Sequence, residues 1–85
     1  MCNQVKVTIS KGNTDISEFS LNKDKTPGHM RVLVDLIMSA TNSTTQEDRQ
    51  AIAEINYRSC VAGSSMGYIS NDMVVKIECF TDNKL

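Results

Sequence analysis

Tryptophan is absent from this chain, and Phe19, Tyr57, Tyr68 and Phe80 are its only aromatic residues. A core built from this sequence must therefore come from Val, Ile, Leu and Met, each contributing about 1.5–3 kcal/mol when fully buried. Proline occurs once and glycine four times, which excludes a Pro-rich linker or a low-complexity segment. Neither sign of charge dominates, with a net charge of −1. Residues 1–43 hold five basic and four acidic side chains and residues 44–85 hold four and six, so the halves stand at +1 and −2. Such a balance gives no bulk electrostatic drive toward nucleic acid.

Long hydrophobic runs are missing too. The longest, Val32–Met38, is interrupted by Asp35 and is far too short for a membrane span. Met1–Val7 is polar and lacks the apolar stretch of a secretory signal. The three cysteines, Cys2, Cys60 and Cys79, are odd in number and form no CxxC pair. They read as free thiols, and the chain reads as cytoplasmic, with no membrane association.

A chain of 85 residues fits a single domain spanning 1–85. A domain of this size buries only about 60–65% of the surface its unfolded chain exposes, so a second copy is a natural source of further burial.

The local patterns are clear in places. Val5, Val7 and Ile9 alternate with polar residues, as in a half-buried strand. Gly12-Asn13 is a turn signal, and Ile16–Leu21 is a weaker strand that shares one face through Phe19 and Leu21. Thr26-Pro27 has the form of a helix start, with Thr26 as cap and Pro27 in the first position. That helix would run to about Ala40. Met30, Val32, Leu33, Val34, Leu36, Ile37 and Met38 cover most of its circumference and leave Arg31, Asp35 and Ser39 as a polar stripe. A helix this apolar needs cover on more than one side.

Ser43–Gln46 and Thr44–Glu47 both fit a capping box. A second helix follows, with Ala51, Ile52, Ile55, Ser59 and Ala62 on one face and Gly63 as its terminating cap. Met66–Ile69 is a short candidate strand, Ser70-Asn71-Asp72 a turn, and Met73–Phe80 the strongest strand pattern, with Met73, Val75, Ile77 and Cys79 on one face. Residues 81–85 read as a fraying tail. The order ββααββ, or ββααβ if the short strand fails, implies an α+β fold. It would have an antiparallel sheet of three or four strands, two helices on one face, and the first and last strands as neighbours.

Candidate chemistry is sparse. His29 is the only histidine, and no motif ties a nucleophile or orienting acid to it. The cysteine spacing matches no zinc site, so neither a metal nor a cofactor is expected, and no catalytic residue is assigned. Gly63-Ser64-Ser65-Met66-Gly67 has the composition of a phosphate loop. It follows a helix C-terminus, however, where carbonyls rather than N–H groups are presented. The one cluster suited to an anion is Lys23, Lys25, His29 and Arg31 around the first helix start.

Two functional expectations follow. The first is a non-enzymatic protein-binding module that self-associates, a dimer being favoured, through Met30, Leu33, Leu36 and Ile37. Its target would be another protein. Inhibitors and regulators, including phage-encoded inhibitors of host factors, are often of this size. The alternative is an RNA, nucleic-acid or nucleotide binder using Lys23, Lys25, His29 and Arg31.

Overall fold

The computed structural model describes residues 3–81. Four antiparallel strands form one sheet: β1 (Gln4–Lys11), β2 (Thr14–Asn22), β3 (Ser64–Ile69) and β4 (Met73–Phe80). Two helices, α1 (His29–Thr41) and α2 (Gln46–Ala62), lie between β2 and β3 in the chain. The spatial order is β2-β1-β4-β3. The fold is α+β in the order ββααββ, as the sequence predicts, and Met66–Ile69 is part of a full strand. Cys2 lies outside the described residues, as does the tail beyond Thr81.

Each hairpin follows from its turn residues. Gly12 takes φ 62° in the two-residue loop between Lys11 and Thr14, a positive φ that primed hairpin turns demand. A bulge falls between Ile9 and Ser10 on one strand, where Ile9 faces Ser17 and Ser10 faces Asp15. Ile16 is the extra residue. In the β3–β4 connection Asn71 and Asp72 both adopt positive φ, 65° and 59°, a region these short polar side chains tolerate best after glycine.

The central pair joins the distant ends of the chain. Val5 faces Cys79, Val7 faces Ile77, and Ile9 faces Val75. These inward residues meet Leu33, Val34, Ile37 and Met38 of α1 and Ile52 and Ile55 of α2 in a single core. The alternate residues of all four strands point to the opposite face of the sheet, which carries no helix. Gly67 is dictated by packing. A Cβ there would stand 2.8 Å from Ile55 Cδ1 and 3.0 Å from Ile55 Cγ1, so its absence lets α2 settle onto β3.

Three local expectations are corrected. Thr26 does not cap α1. It ends a short 3-10 turn, Lys23–Lys25, that Asn22 caps by accepting the N–H groups of Asp24 and Lys25, while the Thr26 hydroxyl donates to Asn22 O at 2.8 Å. Helix α1 begins later, after Gly28 in the left-handed region, so Pro27 lies outside it. At α2 the cap is Thr45, whose Oγ1 accepts from Asp48 N at 3.1 Å, one residue beyond the Thr44 register and two beyond the Ser43 register. The third concerns the cysteines. Cys60 is the free cysteine among the described residues, but Cys79 is disulfide-bonded. The reading of three free thiols, and with it the thiol argument for a cytoplasmic chain, does not hold.

Asp48 ties α2 to the β3–β4 turn. It is buried, its Oδ1 accepts Ser70 N–H at 3.2 Å, and its Oδ2 finds no partner of full hydrogen-bond geometry. The Ser70 hydroxyl first, then the Ser70 N–H and the Ser43 and Thr45 hydroxyls, hold its carboxyl below the ordinary 3.8, against burial, which pushes it up. A depressed carboxylate stabilises the fold above its unfolded value, and that stability is lost as pH falls through the folded one. Asp48→Ala is expected to cost about 1.5–3 kcal/mol at neutral pH, the range for hydrogen bonds to a charged group. In urea denaturation the gap to wild type should narrow as the pH drops below 3.8.

Candidate functional site

The residues singled out from the sequence lie in two regions of α1 and its approach. Of the four proposed contact residues, Leu33 and Ile37 are buried at 1% and 0% exposure and serve the chain's own core. The helix that looked over-apolar is covered on two sides, by the sheet and by α2. Only Met30 and Leu36 keep substantial exposure, at 43% and 44%. Met30 is also engaged, since Asn56 Nδ2 donates to its Sδ at 2.9 Å. Asn56 itself is fully buried in α2, and its Oδ1 has no partner. Arg49 of α2 and Asp35 of α1 pair at 2.9 Å across the outer side of the two helices. Of the four, then, Met30 and Leu36 are the ones that present surface.

Lys23 and Lys25 sit on the 3-10 turn, His29 opens α1, and Arg31 lies in its first turn. That turn has no acidic residue and no side-chain cap; its first hydrogen bond is Val32 N to Gly28 O. Lys23, however, is held back by Cys60, its Nζ donating to Sγ at 3.1 Å. Asp24 stands in the same turn and accepts from Asn3 Nδ2 at 3.4 Å. The four lie on the 3-10 turn and the first turn of α1, with Lys23 engaged by Cys60.

A concavity of about 630 Å³ opens on the outer face of α2, lined by Glu47, Gln50, Ala51, Ala53, Glu54 and Tyr57. One helix supplies every wall, so it is a shallow surface dish rather than an enclosed site. Among the described residues no group of three or more His, Cys, Asp or Glu is placed to hold a metal ion. No helix among them is long and apolar enough to cross a membrane.

The feature that the sequence does not reveal is the edge position of β3. Cys79 N donates to Gly63 O, and Gly63 precedes Ser64 in the register that pairs Ser64 with Glu78. Hydrogen-bonded pairs alternate along an antiparallel ladder, so Ser65, Gly67 and Ile69 bond to β4. The N–H and C=O groups of Ser64, Met66 and Tyr68 therefore point away from the sheet, where the strand order places no neighbour among the described residues. The side chains of Met66 and Tyr68 stand on the helix-free face, 61% and 75% exposed, next to Lys76 and Val74 of β4.

The two outer strands are unlike. β2 carries Asp15 and Glu18, is bent by the bulge at Ile16, and ends in the Asn22-capped turn. Charge, bulges and covering turns are the usual devices that block an edge. β3, with the sequence SSMGYI, has no charge, no proline and no register break. Its alternation of Ser64, Met66 and Tyr68 was the available signal, but a short strand interrupted by Gly67 gives little warning that it lies at an edge.

No family model matches the chain, and no curated protein or solved structure is similar enough to it to serve as a relative.

The two exposures on α1 separate core from surface. Leu33→Ala is expected to cost about 2–5 kcal/mol, as for a buried leucine truncation, whereas Leu36→Ala should cost under about 1 kcal/mol. Urea denaturation of the two variants checks this. Equal costs would mean that Leu36 is covered in solution.

Proposed function

We propose that this chain is a non-enzymatic protein-binding module that works by strand addition at β3. The observation that carries the reading is the unprotected edge: backbone groups of Ser64, Met66 and Tyr68 aimed outward from a strand without charge, beside two of the most exposed apolar side chains in the molecule. An extended segment laid along such an edge gains main-chain hydrogen bonds, and the alternate side chains Met66 and Tyr68 supply the selective contacts. The contact thereby moves from α1 to the far side of the sheet.

A displayed library of random peptides, selected on the immobilised full chain, tests the reading. Binders are expected to lose affinity by about tenfold or more on Met66→Pro and to keep it on Leu36→Asp. Proline removes an N–H that the sheet itself does not use and is tolerated on an edge. Binders indifferent to Met66→Pro would overturn strand addition at β3.

A second reading, an RNA or nucleotide binder, is favoured by one observation: the first turn of α1 has neither an acidic residue nor a side-chain cap while Lys25 and Arg31 flank it. Free N–H groups and the helix dipole both attract phosphate there. Affinity for single-stranded RNA or ATP that falls with salt and is abolished by Lys25→Glu with Arg31→Glu supports it. Affinity unchanged in that double variant removes the site.

A further inference from the structure

We infer that the strand completing the sheet at β3 is β3 of a second copy of this chain, paired antiparallel about a two-fold axis at Met66. The inference rests on the strand-addition reading and names the partner for that edge.

A two-fold contact must be complementary to itself. The outward groups of β3 are, because Ser64 and Tyr68 lie two residues either side of Met66. In the antiparallel arrangement Met66 faces Met66, and Ser64 of one copy faces Tyr68 of the other. Each of these pairs exchanges N–H and C=O groups that are otherwise unpaired. On the helix-free face the two methionines meet at the axis with a tyrosine on either side, joining the exposed apolar side chains of both copies.

Electrostatics choose this edge over the other. Two β2 strands brought together would set the acidic residues Asp15 and Glu18 of one copy against those of the other, and like charges across a strand pair are destabilising. β3 brings no charge to the axis. On the helix above it, Ile55 packs against Gly67, the neighbour of Met66, so the stretch Glu54–Arg58 lies level with the axis. Glu54 and Arg58 pair at 3.7 Å within one copy and are largely exposed, at 71% and 62% of their side-chain surface. The two-fold runs the α2 helices antiparallel and sets Arg58 of each copy toward Glu54 of the other. The result is one continuous sheet, two copies of β2-β1-β4-β3 joined edge to edge.

The test is a charge exchange at position 66. Met66→Lys and Met66→Glu are made separately in the full chain, where the exposed side chain leaves the fold intact by circular dichroism and thermal melting. In sedimentation, wild type is expected to dimerise as concentration rises. Each variant alone should associate at least about tenfold more weakly, because like charges oppose across the axis. An equimolar mixture of the two variants should recover the dimer, and added salt should weaken that recovery. A photoreactive benzoylphenylalanine in place of Tyr68 is expected to cross-link to the segment carrying Ser64 of the other copy. Wild type that stays monomeric at every concentration overturns the inference, as does a mixture no better associated than its parts. Peptide binding that still depends on Met66 would then leave strand addition standing with a different partner. Loss of that dependence would remove both.

Discussion

The pairing of β1 with β4 closes the longest loop in the molecule. Lys11 faces Met73, 62 positions later, and the loop-closure entropy must be met before any contact between the two strands forms. Everything else is arranged around that pair. It sets β2 and β3 at opposite edges, provides the row Val5, Val7, Ile9, Val75 and Ile77 on which both helices rest, and leaves the reverse face bare. The scarcity of aromatics explains why the row is continuous. With Phe19 the one aromatic packed against it among the described residues, the core depends on β-branched residues packed in register from two neighbouring strands.

Those strands were also the most legible part of the sequence. Val5–Ile9 and Met73–Cys79 alternate with period two because one face is buried and the other is not, and their adjacency follows from two hairpins sharing one sheet. Gly63 as a helix end was equally plain, since few residues accept φ 92°. Helix starts were not. Thr26-Pro27 has every local mark of one, yet the Asn22 side chain accepts the N–H groups of Asp24 and Lys25 and diverts the chain into a 3-10 turn. That competition between neighbouring polar side chains is decided by geometry that no spacing rule encodes.

The site was legible only in kind. An apolar helix such as α1 looks the same in sequence whether its excess is covered by a partner or by its own second helix; here α2 covers much of it, and Leu33 and Ile37 lie inside. Whether a strand is at an edge depends on pairings formed far away in the chain, so β3 read simply as a short, weak strand. The exposure of Met66 and Tyr68 acquires meaning only once the strand order is known. Cysteine pairing is likewise a property of the fold, and the odd count concealed that Cys79 is bonded.

The order in which a ribosome delivers the elements gives the β1–β4 pair one more consequence. At about 5–20 residues per second, β4 follows β1 by roughly three to twelve seconds. During that interval the nascent β1–β2 hairpin has a different open edge, β1 itself, with the backbone groups of Gln4, Lys6, Thr8 and Ser10 still awaiting β4. Lys6 stands in the middle of that temporary edge, where a charged side chain discourages pairing with neighbouring chains. In the finished molecule it is a surface residue 3.8 Å from Glu18; before the last strand arrives, the same charge lies on an open edge.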